Sequence, residues 1–358
     1  MSPGARSSAS TGSGSGTGAR RRRQPWERWP DSRLLELRFS DLDLRLEGSR
    51  LGERIDRVLG EFARCNIPFR PHFWLAEDFF TPDGVPGIAV PFYLAHPRLA
   101  RLEENQMMEV EGGSPEWCLR ILRHELGHAV DNAFLLRRRR KRQQIFGRSS
   151  QPYPDYYAPK PYSKRFVLHL DSWYAQSHPD EDFAETFAVW LQPTSAWRRR
   201  YAGWPALKKL EYMDELMRSL VGKKPRVTTR RKVDPIQRLR GTLGEYYAEK
   251  RRRYGFDYPA FYDRDLRQLF SDLPEFRANR PADAFLRSVR AEVCRKVARW
   301  TGTYQYTIDQ VLEDMITRCQ ELGLHLSGTE QQTTLDFTVL LTVQTMNYLH
   351  SGRHRIAL

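Results

Sequence analysis

Arg123-His124-Glu125-Leu126-Gly127-His128-Ala129-Val130-Asp131 is the stretch on which the reading of this chain turns. Its spacing is H-E-x-x-H. On an α-helix, positions four apart lie one turn above each other, so His124 and His128 face the same way with the carboxylate of Glu125 beside them. Two imidazoles so placed can share a zinc ion, and Glu125 can take a proton from the water that such an ion binds. The flanks predict a helix. Ser114 and Pro115 form a start signal, an N-cap followed by proline at the first helical position. Trp117, Leu119, Ile121, Leu122, Leu126, Ala129, Val130 and Phe134 make the segment apolar around much of its circumference, as in a core helix. Gly127 leaves room for another backbone or a substrate to approach closely. The helix is expected to end in Arg137-Arg138-Arg139-Arg140-Lys141-Arg142, since cations are favourable near a helix C-terminus.

A second stretch, His178-Pro179-Asp180-Glu181-Asp182-Phe183-Ala184-Glu185, reads as the start of another helix, with acidic residues in its first turn and Phe183, Phe187, Val189, Trp190 and Leu191 as its apolar surface. Glu181 and Glu185 are four apart and share a face. One of them can complete a zinc tripod. The other can hydrogen-bond the far nitrogen of a ligating histidine and fix its tautomer. His169 and His178 read as surface or packing residues.

The pair H-E-L-G-H and E-D-F-A-E-T-F-A resembles gluzincin-type zinc metallopeptidases, in particular a bacterial family of zinc-binding metallopeptidases and, more distantly, the lethal-factor type. Ile145-Phe146-Gly147, Asp155-Tyr156 and Trp173-Tyr174-Ala175 are similar too, so the resemblance covers roughly residues 117 to 192. It implies an α+β, zincin-like catalytic domain that uses Zn²⁺, with His124, His128 and Glu181 as ligands, Glu125 as general base and Glu185 behind a ligating histidine. In lethal-factor-like members a tyrosine seven residues before the ligand glutamate assists the transition state. Tyr174 holds that position, and its phenol would donate to the developing oxyanion. Asp131, one turn beyond His128, is the rival third ligand, because some zincins take their last ligand from an aspartate; it is otherwise grouped with Glu185 behind the ligands. The zinc ribbon that many relatives carry N-terminally is missing.

The remainder of the 358 residues has room for a second domain. Residues 1–30 are Ser/Gly/Thr-rich and end in the run Arg20–Arg23, a tail too polar to offset its ordering entropy and so expected to be disordered. Residues 31–222 are expected to be the catalytic domain, 223–234 a basic linker and 235–358 a mostly helical C-terminal region with nothing catalytic in it. In the catalytic domain, the alternation of Leu35, Leu37 and Phe39, and of Leu42, Leu44 and Leu46, predicts two strands. Leu51, Ile55, Val58, Leu59 and Phe62 predict a helix. Residues 69–75 and 87–94 read as strands around the turn Thr81-Pro82-Asp83-Gly84. Pro86, Pro91 and Pro97 place the second of these at a sheet edge, where an extended peptide could add. Residues 143–164, with four tyrosines among four prolines, read as a loop packed over the site. After the linker, Phe285, Val289, Val293, Val297 and Trp300 form one helical stripe, and Ile308, Val311, Leu312, Met315, Cys319 and Leu322 another.

No run of apolar residues is long enough for a transmembrane helix, and the N-terminus has no apolar signal region. Four widely spaced cysteines suit reduced thiols in the cytoplasm. The expectation is a zinc metallopeptidase acting on a peptide or protein substrate. A net charge of +14 and the arginine runs at 20–23, 137–142 and 251–253 leave a second reading open, a protein that binds nucleic acid or an acidic partner and whose zinc site is structural or decayed. A zinc hydrolase acting on a non-peptide amide is a third.

Overall fold

Ser49 starts the first long helix: its hydroxyl accepts a hydrogen bond from the Gly52 amide at 3.0 Å, satisfying a donor that a helix N-terminus leaves free. Leu51, Ile55, Val58, Leu59 and Phe62 then fall on one buried face, as their spacing predicts. The structure, a computed structural model, describes residues 24–154, 157, 160, 163–171, 173–254 and 262–350. Most of the expected tail, Tyr156 and Tyr162 lie outside the described residues.

In chain order the helices before residue 223 are α1 (Asp31–Leu35), α2 (Arg50–Ala63), α3 (Pro97–Met107), α4 (Pro115–Phe134), α5 (Arg140–Phe146), α6 (Pro179–Leu191), α7 (Trp197–Arg200) and α8 (Ala206–Arg218). Later come α9 (Leu243–Tyr254), α10 (Asp263–Leu269), α11 (Ala282–Thr301), α12 (Gln305–Glu321) and α13 (Glu330–His350). Strands are few: β1 (His72–Ala76) pairs in parallel with β2 (Gly87–Pro91), and β3 (Phe270–Ser271) pairs antiparallel with β4 (His325–Leu326). The architecture is α+β, mostly helical with small sheets, as the resemblance implies.

Two expected strands are not there. Residues 31–35 are helical and Phe39–Asp41 form a 3₁₀ turn. Alternation failed as a guide because this segment meets the chain just ahead of α9 instead of a sheet. The Phe39 amide donates to Gly241 O at 3.3 Å and the Leu243 amide to Leu37 O at 2.9 Å. The expected open edge at β2 is closed as well. Phe80 bridges to Ala89 on that side, with amide–carbonyl distances of 3.4 and 2.8 Å, and all five β2 residues are buried. A peptide cannot add at Ala89 without displacing Phe80.

The first core gathers residues from Trp26 to Tyr247 together with Tyr306, and the second runs from Tyr262 to Leu341. Residues 235–254 therefore pack with the first body. Leu243, Tyr246 and Tyr247 of α9 are in its core, and Lys250 Nζ donates to Glu103 Oε1 at 2.9 Å. The segment 223–234 is docked rather than free. The amides of Arg226 and Val227 donate to Ala133 O at 2.8 and 3.0 Å, and the side chains of His72 and Trp74 donate to the carbonyls of Arg231 and Val233 at 2.9 and 2.8 Å. The composition of 223–234 records its charge and not where its backbone finds partners. In the second body the stripes on α11 and α12 are core, except that Trp300 is 80% exposed. Among the described residues no helix is long and apolar enough to cross a membrane.

Candidate metal centre

α4 begins as its sequence predicts, with the Ser114 hydroxyl accepting from the Trp117 amide at 3.2 Å and Pro115 following. It stops at Phe134, before the arginine run, because Leu135 turns left-handed. The run is then shared between a 3₁₀ turn and α5. α6 lies across α4 at Gly127, where an added Cβ would stand 3.0 Å from Ala184 Cα and 3.1 Å from Phe187 Cδ1. The glycine lets the two helices approach closely enough for their polar side chains to converge. The N-cap of α6 is His178, whose Nδ1 accepts from the Asp180 amide at 3.2 Å, so this buried histidine builds the helix start.

His124, His128 and Glu181 meet at one point, with one donor atom each lying within 4.8 Å of the others. His124 Nε2 is 2.9 Å from Glu181 Oε2, His128 Nε2 is 3.2 Å from the same oxygen, and the two Nε2 atoms are 3.0 Å apart. Ligands about 2.0–2.1 Å from a tetrahedral zinc stand roughly 3.3 Å from one another. The donor set and its spacing therefore fit that ion. The tautomer agrees: Glu185 Oε1 lies 2.8 Å from His124 Nδ1, so Nδ1 donates and Nε2 turns its lone pair to the common point. Such lone pairs facing one another need a cation or a proton between them. Burial opposes charge on His124, yet its hydrogen bonds to Glu181 and Glu185 outweigh that and hold its pKa well above the usual histidine range. Burial likewise opposes charge on Glu181, and His128 and His124 overcome it to hold the carboxyl well below its usual range.

Glu125 is buried beside this centre, and Thr81 Oγ1 donates to its Oε2 at 2.8 Å. Asn132, one turn past His128, fixes the turn that carries Thr81: its Nδ2 donates to the carbonyls of Pro82 and Val85, each at 3.0 Å, and its Oδ1 accepts from the Gly84 amide at 3.2 Å. Tyr174 opens a 3₁₀ turn, with its ring 5.6 Å from that of His124. Burial, followed by the carboxylates of Glu181 and Glu125, raises its phenol well above the usual tyrosine range, so it remains a donor. Asp131 is not brought to the centre. Its oxygens accept from the Arg137 amide at 2.7 Å and from Arg142 Nη2 at 3.3 Å. Arg142 is wholly buried and also pairs with Asp180 on α6, so neither it nor Arg137, which donates to Asp83 Oδ1 at 2.8 Å, belongs to a free basic surface. His169 is buried, with Nε2 donating to Arg120 O at 3.0 Å.

Sequence reading gave no role at the centre to Thr81, Asn132 or Arg142, whereas Tyr153 belongs to the Pro/Tyr loop that was expected to pack over the site. Thr81 was the first residue of a recognised turn and Arg142 the last of a recognised basic run, but neither turn nor run indicated a carboxylate partner.

Residues 118–223 match the model of a protein family described as "Putative zinc-binding metallo-peptidase". The match covers less than a third of the chain but includes α6 and all but the first turn of α4, and with them every residue of the donor cluster. No curated protein and no solved structure gives a match. The family match and the three-donor cluster both point to a zinc peptidase.

Proposed function

We propose that this chain is a zinc-dependent metallopeptidase of the gluzincin type, in which His124, His128 and Glu181 hold the ion and Glu125 is the general base. The observation that carries this reading is the convergence of the three donor atoms at 2.9–3.2 Å beside a buried carboxylate. When bound, zinc supplies Lewis acidity, polarising the scissile carbonyl and lowering the pKa of water. The protein's own groups do the rest. Thr81 holds Glu125 Oε2, which leaves Oε1 to take the proton of the attacking water and pass it to the leaving amine. The Tyr174 phenol donates to the oxyanion as charge develops there. Glu185 keeps the Nδ1 proton on His124, and Asp131 acts one step further back through Arg142. The unit carrying this chemistry is the first body, α9 included, and its two free thiols, Cys65 and Cys118, with Cys294 and Cys319 of the second body, suit the reducing cytoplasm.

The test is one zinc per purified chain together with cleavage of peptides from a library, lost by about 10²–10⁴-fold in Glu125→Gln with the zinc retained. A wild-type chain without stoichiometric zinc, or full activity in Glu125→Gln, overturns the proposal. Cleavage of small amides but of no peptide would leave the chemistry standing and move the substrate to a non-peptide amide.

A further inference from the structure

Tyr153 lies on the loop between α5 and α6, and its side chain joins two features that the chemistry above does not use. Its ring lies flat on the imidazole of His178, with centroids 3.8 Å apart and planes at 18°. His178 is itself fixed: Nδ1 accepts from the Asp180 amide, so Nε2 carries the hydrogen and donates to Gln151 O at 2.9 Å. The stack therefore aims the phenol, and Tyr153 Oη donates to Glu181 Oε1 at 2.8 Å. Glu181 Oε2, the other oxygen, faces both histidines.

We propose that Tyr153 is a positioning residue that commits Glu181 to the metal centre through one oxygen only. The terminal torsion of a glutamate is broad and nearly two-fold, so the two oxygens exchange easily unless something distinguishes them. A donor on Oε1 does so. It holds Oε2 toward the histidines and stops the carboxylate from turning both oxygens to the ion, which keeps room there for water and substrate. Core packing does not explain the residue, since Tyr153 is 48% exposed. The loop is nevertheless tied to the helix it serves: Ser149 Oγ donates to Asp180, and Gly147 lies against Pro179.

This inference rests on the zinc reading, and the experiment separates the two. Tyr153→Phe keeps the ring and its stack and removes only the hydroxyl. Zinc affinity is measured by competition with a chromophoric chelator, and the visible spectrum is recorded with Co²⁺ in place of zinc. The expected result is one zinc per chain in both proteins, an affinity 10–100-fold lower in Tyr153→Phe, and shifted cobalt bands with an unchanged Tm of the metal-stripped protein. Wild-type chain that binds no zinc removes the zinc reading and this inference with it. Wild-type chain that binds zinc, beside a Tyr153→Phe variant within twofold in affinity and with the same cobalt spectrum, removes this inference alone. Tyr153→Ala is the second variant: if it loses affinity while Tyr153→Phe does not, the stack and not the hydroxyl is responsible, and the inference is again overturned.

Discussion

Glu185 holds His124 from behind while being held itself. One carboxylate oxygen lies 2.8 Å from His124 Nδ1, and the other accepts the Leu170 amide at 2.8 Å. Glu185→Gln must turn its NH₂ toward one of these two donors and so loses one bond in either orientation. Zinc affinity is expected to fall at least 10-fold, read by chelator competition, with Glu185→Ala falling further. Equal affinity in all three proteins would show that the residue does not tune the ligand.

Gly127 faces the backbone of α6 at Ala184. Alanine favours a helix over glycine by about 1 kcal/mol, but the new Cβ would press on Ala184 Cα at 3.0 Å, and overpacking of this kind costs about 1–3 kcal/mol. Because the contact is with backbone, the cost is expected to win. Gly127→Ala should lower the Tm and weaken zinc binding together, as α6 carries Glu181 away. A raised Tm would mean that the helices can part without loss.

Lys250 on α9 and Glu103 on α3 are both buried and 2.9 Å apart. Lys250→Met leaves the carboxylate buried without its ammonium partner and is expected to cost about 3–5 kcal/mol in urea unfolding. The double variant Lys250→Met/Glu103→Gln should recover much of this. Failure to recover would place the cost in the packing of α9 instead.

Stability should also depend on pH through Glu111. Burial, then the Asp78 carboxylate, pushes its pKa from an ordinary 4.5 to about 7, with Lys250 opposing. The folded chain thus keeps a proton between those values that the unfolded chain releases. The resulting stabilisation is complete below the lower value and is lost as pH rises through the upper one. Glu111→Gln is expected to flatten this part of the curve and to raise stability at pH 8 relative to wild type, measured by urea unfolding at pH 5 and 8. Identical slopes in the two proteins would refute the assignment.

Much of the centre was legible in the sequence because helices convert spacing into geometry. Four-residue separations put His124 over His128 and Glu181 over Glu185, and proline with acidic residues marked where α6 starts. Thr81, Asn132 and Tyr153 had partners that were not legible, for the opposite reason, although the loop of Tyr153 was expected over the site. They reach the centre through turns and loops, whose course follows tertiary contacts that no local period records. The leucines of residues 35–46 misled because alternation arises in any segment that shows one side to a core, whether or not a neighbouring strand exists. That Leu243, Tyr246 and Tyr247 of α9 pack into the first core was not legible, because in sequence they look like residues of any other helix.

Arg142 was the least conspicuous member of a six-residue basic run, yet it spans the gap between Asp131 on α4 and Asp180 on α6, with no exposure to solvent. This clamp ties α4 to α6 through side chains alone. A zinc finger must wait for its metal in order to fold. Under the proposed function, a clamp of this kind would let the chain be built first and charged afterwards, so the supply of zinc would govern how much of the protein is active and not how much of it exists.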